Sequence, residues 1–173
     1  VWSVRTSHID AGLVCRWLLL AAWPMHAAFA ALSAVVVSVA VITEQEAILS
    51  AVATLGAHYV VGLGGSFAVH ELGHLIVLSR ARGVTALTLE RSTWRISIAP
   101  HGRITRRDAA LAALAGPGMC AVAGGILWLV IPELQVHGWY LAHAVFLIPL
   151  FNDGRILLTA MRARSATPSR RQE

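Results

Sequence analysis

The stretch FAVHELGHLIVLS, residues 67–79, sets two histidines and a glutamate in an otherwise apolar run. On a helix His70 and His74 are four residues apart and share a face, one turn above the other, so both imidazoles can reach one metal ion. Glu71 is offset from His70 by about 100°, near enough to serve a water at that ion without occupying a coordination position. His70-Glu-Leu-Gly-His74 therefore fits the metal-binding pattern H-E-x-x-H. Its surroundings set the chemistry apart from that of a soluble domain.

Of the 173 residues, 57% are hydrophobic and 13% charged, with a mean hydropathy of +0.66, too apolar for an ordinary soluble domain of this size. Four apolar runs, residues 17–42, 47–79, 109–131 and 139–161, each reach the ~20 residues that cross a bilayer. The expected fold is an all-α membrane bundle of about four transmembrane helices, forming one domain over residues 1–162. The second run, 33 residues long, would extend about 50 Å as a straight helix, against a hydrocarbon core of roughly 30 Å. Gly62, Gly64 and Gly65 offer a kink or break just before the motif. The first run also admits reading as a cleaved signal sequence, but its roughly 26 residues exceed a signal core of about 7 to 15, which favours a retained span.

The net charge of +5 comes from arginine, for the chain has no lysine. Thirteen of the fourteen arginines lie before the first run, between the second and third, or after the fourth. The other two connections carry none, so four spans with both termini cytoplasmic satisfy the positive-inside bias. No aromatic interleaving accompanies these arginines, which argues against nucleic acid as a partner and for topology signals in a cell-membrane protein. The tail 163–173 reads as basic, disordered and lipid-facing. Cys15 and Cys120 suggest plain thiols rather than a disulfide framework.

Between the second and third spans, residues 84–90 and 93–99 read as strands, with clean apolar–polar alternation in Trp94-Arg-Ile-Ser-Ile, predicting a small β-hairpin on the cytoplasmic side. Thr105 and Asp108 then resemble a capping box opening the third span. That span is rich in alanine and glycine, as expected where helices approach closely.

A charge at mid-bilayer costs at least ~2.5 to 3.5 kcal/mol, so ionisable groups inside spans tend to mark function. Catalytic zinc takes three protein ligands and keeps one position open, which demands a third ligand at the depth of the histidines. Asp153 is the one acid within another span. His70 lies ten residues before Arg80, His74 six, and Asp153 nine before Arg162, giving depths of about 15, 9 and 13 Å from the cytoplasmic side. The three levels coincide.

On these residues the chain resembles the site-2 protease family of intramembrane zinc metalloproteases. The resemblance rests on His70-Glu-Leu-Gly-His74, on Ala115-Gly-Pro-Gly in the third span and on Asn152-Asp-Gly154, in the family's order, and covers roughly residues 60–160. It implies that His70, His74 and Asp153 hold Zn2+, that Glu71 is the general base, and that Asn152 stabilises the tetrahedral intermediate. It also implies a zinc endopeptidase that cuts within or near a transmembrane segment of a membrane-protein or signal-peptide substrate in the lipid bilayer. The chain departs from the family in two places: no proline separates Asn152 from Asp153, and Cys120 stands where many members have Asn. These departures keep open an alternative, a catalytically silent relative acting as a membrane binding or assembly protein. An ion transporter would need further polar groups along the spans.

Other residues invite plainer readings. His58 is about 18 Å along a continuous helix from His70 and His143 about 15 Å from Asp153, so both are expected to be packed or interfacial. Arg155, the one arginine inside a span, is expected to snorkel to the interface. Trp17, Trp23, Trp128 and Trp139 suit interfacial anchoring.

Overall fold

The structure, a computed structural model, describes residues 2–6, 10–91 and 96–165. Residues 92–95 of the expected hairpin and 166–173 of the expected tail lie outside the described residues.

Asp10 opens the first helix by accepting the Leu13 amide at 2.7 Å, and α1 (Ala11–Ala21) follows. The chain then breaks at Ala22, and α2 (Trp23–Ile42) starts with a proline in its first turn. Proline there lacks only an N–H that a helix start leaves unpaired anyway, whereas inside a helix it would remove a bond and clash with the preceding turn. The expected single run 17–42 is therefore two helices. Trp17 is correspondingly not an interfacial anchor: at 3% exposure it packs with Val14, Leu75, Leu78, Leu87, Leu89 and Ala112 in the main apolar core. Trp23 and Trp128 are exposed.

α3 (Glu46–Ala57) runs through a seven-residue π-helical segment, His58–Gly64, into α4 (Gly65–Leu78). The glycines thus widen the long helix. A β-carbon at Gly62 would collide with the indole of Trp139, and the Trp139 N–H donates to His58 Nδ1 at 3.1 Å. The Tyr140 hydroxyl donates to the Val61 carbonyl at 2.9 Å, capping a backbone group in the widened turn. His58 is thereby a packed histidine, as expected.

The expected hairpin forms from β2 (Val84–Arg91) and β3 (Ile96–Gly102), and a strand that was not expected joins it. β1 (Trp2–Thr6) pairs antiparallel with β2, from Trp2↔Arg91 to Thr6↔Leu87, giving the order β1-β2-β3. Leu87 and Leu89 of β2 point into the core shared with α1 and α4, so the sheet closes the end of the bundle where α4 emerges.

Thr105 caps α5 (Arg106–Val130) by accepting the Asp108 amide at 3.1 Å, and its hydroxyl donates to the Asp108 carboxylate at 2.7 Å. α5 crosses α4 at very short range: a β-carbon at Gly73 would lie 2.5 Å from the Ala115 carbonyl oxygen. The small residues of the third span serve this contact.

The fourth run is not one helix. α6 (His137–Ala142) continues as a 3-10 turn, His143–Leu147, before the chain breaks and restarts as α7 (Asn152–Ser165), inclined by 43°. Pro149 sits in the break, and Gly154 lets α7 tuck under it, because a β-carbon there would strike the Ile148 and Leu147 carbonyls. α7 is helical through Ser165, so the tail begins later than residue 163.

α2, the stretch Glu46–Leu78 and α5 are each long and apolar enough to cross a membrane, and the bent pair His137–Leu147 and Asn152–Arg162 makes a fourth if it counts as one span. α2 buries only Ala40 and exposes Leu32, Val35, Val39, Val41 and Ile42. Such a helix, apolar on every face, is compatible with a membrane protein.

Candidate metal centre

The helical spacing of residues 70 and 74 turns both rings of α4 toward α5. Gly116 of α5 faces them, and any side chain there would overlap them, with a β-carbon 2.7 Å from His74 Nε2 and 2.9 Å from His70 Cε1. Asp153 enters from the first turn of α7. Its Oδ2 stands 3.3 Å from His70 Nε2 and 3.5 Å from His74 Nε2, and the two Nε2 atoms are 3.0 Å apart. All three side chains are nearly buried, at 7%, 12% and 12% exposure.

These three distances test whether the group fits a metal. Donors about 2.0–2.1 Å from a tetrahedral ion stand about 3.3–3.4 Å from one another. The two edges to Asp153 lie close to that length and the edge between the imidazoles is about 0.3 Å shorter, so the triangle approximates one face of a tetrahedron. The protonation pattern points the same way. His74 Nδ1 lies 2.7 Å from the Ala112 carbonyl, an acceptor, so the imidazole proton sits on Nδ1 and Nε2 presents a lone pair. A lone pair and a carboxylate held 3.5 Å apart in a water-poor interior repel each other unless a cation or a shared proton lies between them.

A second group of ligand-bearing residues lies alongside: His70, Cys120 and His143, all buried. Its members already have partners. His143 Nδ1 is 3.1 Å from His70 Nδ1, and the Cys120 thiol donates to the Ser66 carbonyl at 3.3 Å. In the first group His70 Nε2, His74 Nε2 and Asp153 Oδ2 instead face one another.

Glu71 is 6% exposed, and its Oε2 has no hydrogen-bond partner. An unsatisfied buried carboxylate oxygen costs a few kcal/mol, and native structures keep few of them without a reason. Glu71 follows His70 directly on α4. Asn152 opens α7 and is exposed, immediately before Asp153. Arg155, a turn beyond Asn152, is exposed as well.

His143 corrects the sequence reading. A separation of about 15 Å from Asp153 holds only for an unbroken helix. The break at residues 148–151 brings His143 and Asp153 to two sides of one imidazole, with Asp153 against His70 Nε2 and His143 against Nδ1. Pro149 in mid-run was the available signal for the break. Nothing in the spacing flagged Ala112, whose backbone carbonyl does the orienting.

Phe67 and Phe146 complete the enclosure. Phe67 meets His143 edge-on at 5.0 Å, and Phe146 lies 5.1 Å from both His70 and His143. The arrangement is a candidate set of three ligands for a small cation, with aromatic rings packed against one side of it. Comparison with family models, curated proteins and solved structures finds no match to this chain.

Proposed function

We propose that the protein is an intramembrane zinc endopeptidase of the site-2 protease type, cutting a peptide bond within or near a transmembrane segment of a membrane-protein or signal-peptide substrate. The observation that carries the reading is the triangle of His70, His74 and Asp153 with the unpartnered Glu71 carboxylate beside it. Two imidazoles and a carboxylate match the donor sets of hydrolytic zinc sites, and the helices around them suit lipid as the solvent. Arginines on the α4–α5 connection and near the end of α7 favour a cytoplasmic-side centre under the positive-inside bias, with both termini on that side.

His70, His74 and Asp153 would hold the ion, whose Lewis acidity, when bound, activates water and polarises the scissile carbonyl. Glu71 accepts the proton from the attacking water and returns it to the departing amine. Asn152, exposed beside Asp153, is free to donate to the oxygen of the tetrahedral intermediate. A substrate helix must unwind before its carbonyls are accessible. β3, an outer strand of the sheet packed near α4, supplies an edge on which an unwound segment can add as a further strand.

The test is Glu71→Gln in the full chain in its membrane. Zinc content is expected to stay at one per chain, while a single-span membrane fragment accumulates in the membrane proteome. Unchanged processing rejects the protease reading and favours the catalytically silent alternative; absence of stoichiometric zinc from the purified wild-type protein rejects the metal centre itself.

A further inference from the structure

We propose that His143 is a positioning residue for the metal centre, accepting the Nδ1 proton of His70 and so committing His70 Nε2 to the ion. The inference rests on the metal-centre reading above and extends it to a side chain outside the H-E-x-x-H pattern.

The two Nδ1 atoms are 3.1 Å apart, and a hydrogen bond between them needs one to carry the proton and the other to accept it. If His70 presents a lone pair at Nε2 toward Asp153 and His74, its single proton must sit on Nδ1. His70 is then the donor, and His143 accepts with its own proton on Nε2. The opposite assignment puts a proton on His70 Nε2, aimed into the triangle, where it blocks coordination. The local surroundings leave His70 little other choice of acceptor. His70 and His143 are 5% and 4% exposed, and Phe67 and Phe146 pack around the pair.

His74 has the same arrangement with a different acceptor, the Ala112 carbonyl at 2.7 Å. Each ligating ring therefore presents Nε2 to the centre and has its Nδ1 bound to a group on another element, one on α5 and one on the 3-10 turn after α6. Outer partners of this kind fix tautomer and ring orientation in metal sites. The 3-10 turn thus has a role of its own: an α-helix continued through residues 143–147 and on to Asp153 would carry His143 away from the ring that Asp153 touches.

The experiment measures zinc affinity of the purified full chain in detergent, by competition with a chromophoric chelator, together with the thermal midpoint of the zinc-free protein. His143→Phe keeps the contacts with Phe67 and Phe146 but offers no acceptor, and His143→Ala serves the same arm if phenylalanine does not fit. His143→Asn places a carbonyl oxygen close to the position of Nδ1. A 10- to 100-fold loss of zinc affinity is expected in the acceptor-free variant, with His143→Asn within about threefold of wild type. Wild-type affinity without an acceptor overturns the inference, as does an equal loss in His143→Asn, which assigns the effect to packing. Failure of the wild-type protein to bind zinc overturns the metal centre on which the inference rests, a result distinguishable from both.

Discussion

Gly116→Ala tests the centre through the least conspicuous change available to it. A methyl group at this position meets His74 Nε2 at 2.7 Å, His74 Cε1 at 2.8 Å and His70 Cε1 at 2.9 Å. Comfortable contact with these atoms requires about 3.5 Å, so each ring must retreat by about 0.6–0.8 Å, or α5 must move away from α4. The helices are already seated backbone to backbone at Gly73 and Ala115, so separating them gives up packing along the whole crossing. Ligand positions in a zinc site tolerate about 0.2 Å, well under the required retreat. Overpacking of this size costs about 1–3 kcal/mol. Expressed in the metal-bound state, that is a loss of about 5- to 150-fold in zinc affinity.

The assay is competition titration of detergent-solubilised protein, with Gly118→Ala as the control. Gly118, two residues on, has nothing within 4 Å of its would-be β-carbon, so alanine there is expected to leave zinc affinity unchanged and, as the better helix former, to stabilise α5 slightly. Wild-type affinity in Gly116→Ala would refute the close seating of α5 on the two imidazoles. An equal loss in Gly118→Ala would show that the effect is a general disturbance of α5.

Two further predictions concern the elements that hold the centre in place. Tyr140→Phe removes the hydroxyl that serves the Val61 carbonyl in the π-helical segment; a cost of about 0.5–1.5 kcal/mol and a fall of a few degrees in thermal midpoint are expected, and an unchanged midpoint argues against this anchoring. Trp17→Ala empties the core under the sheet and is expected to cost about 3–5 kcal/mol, whereas Trp17→Phe, which also removes an indole N–H that has no partner, should cost much less; equal effects in the two variants count against a packing role.

The centre was legible where helices are continuous. Residues 70 and 74 share a face because α4 is unbroken through them, and the count from Arg162 back to Asp153 works because α7 is helical throughout that interval. His143 escaped the same arithmetic because a fixed rise per residue cannot be carried across the break at residues 148–151. The α1–α2 break was hidden by uniform apolarity, with Pro24 the only mark of it. β1 had no local signature at all: five residues become a strand by pairing with β2, far along the chain, and such non-local register is invisible to periodicity. The π-helical widening follows from Gly62 and the ring of Trp139 together, two residues that no local window contains.

The partnership of β1 with β2 has a consequence for how the chain is made. Thr6 finds its cross-strand neighbour only when Leu87 has been synthesised, after four α-helices have intervened. Until then the first strand is an unmatched ribbon, and β2 on emerging can zip to β3 before β1 returns. Chain immediately ahead of Trp2 therefore sits beside this late-closing seam, and bulk placed there competes with its closure.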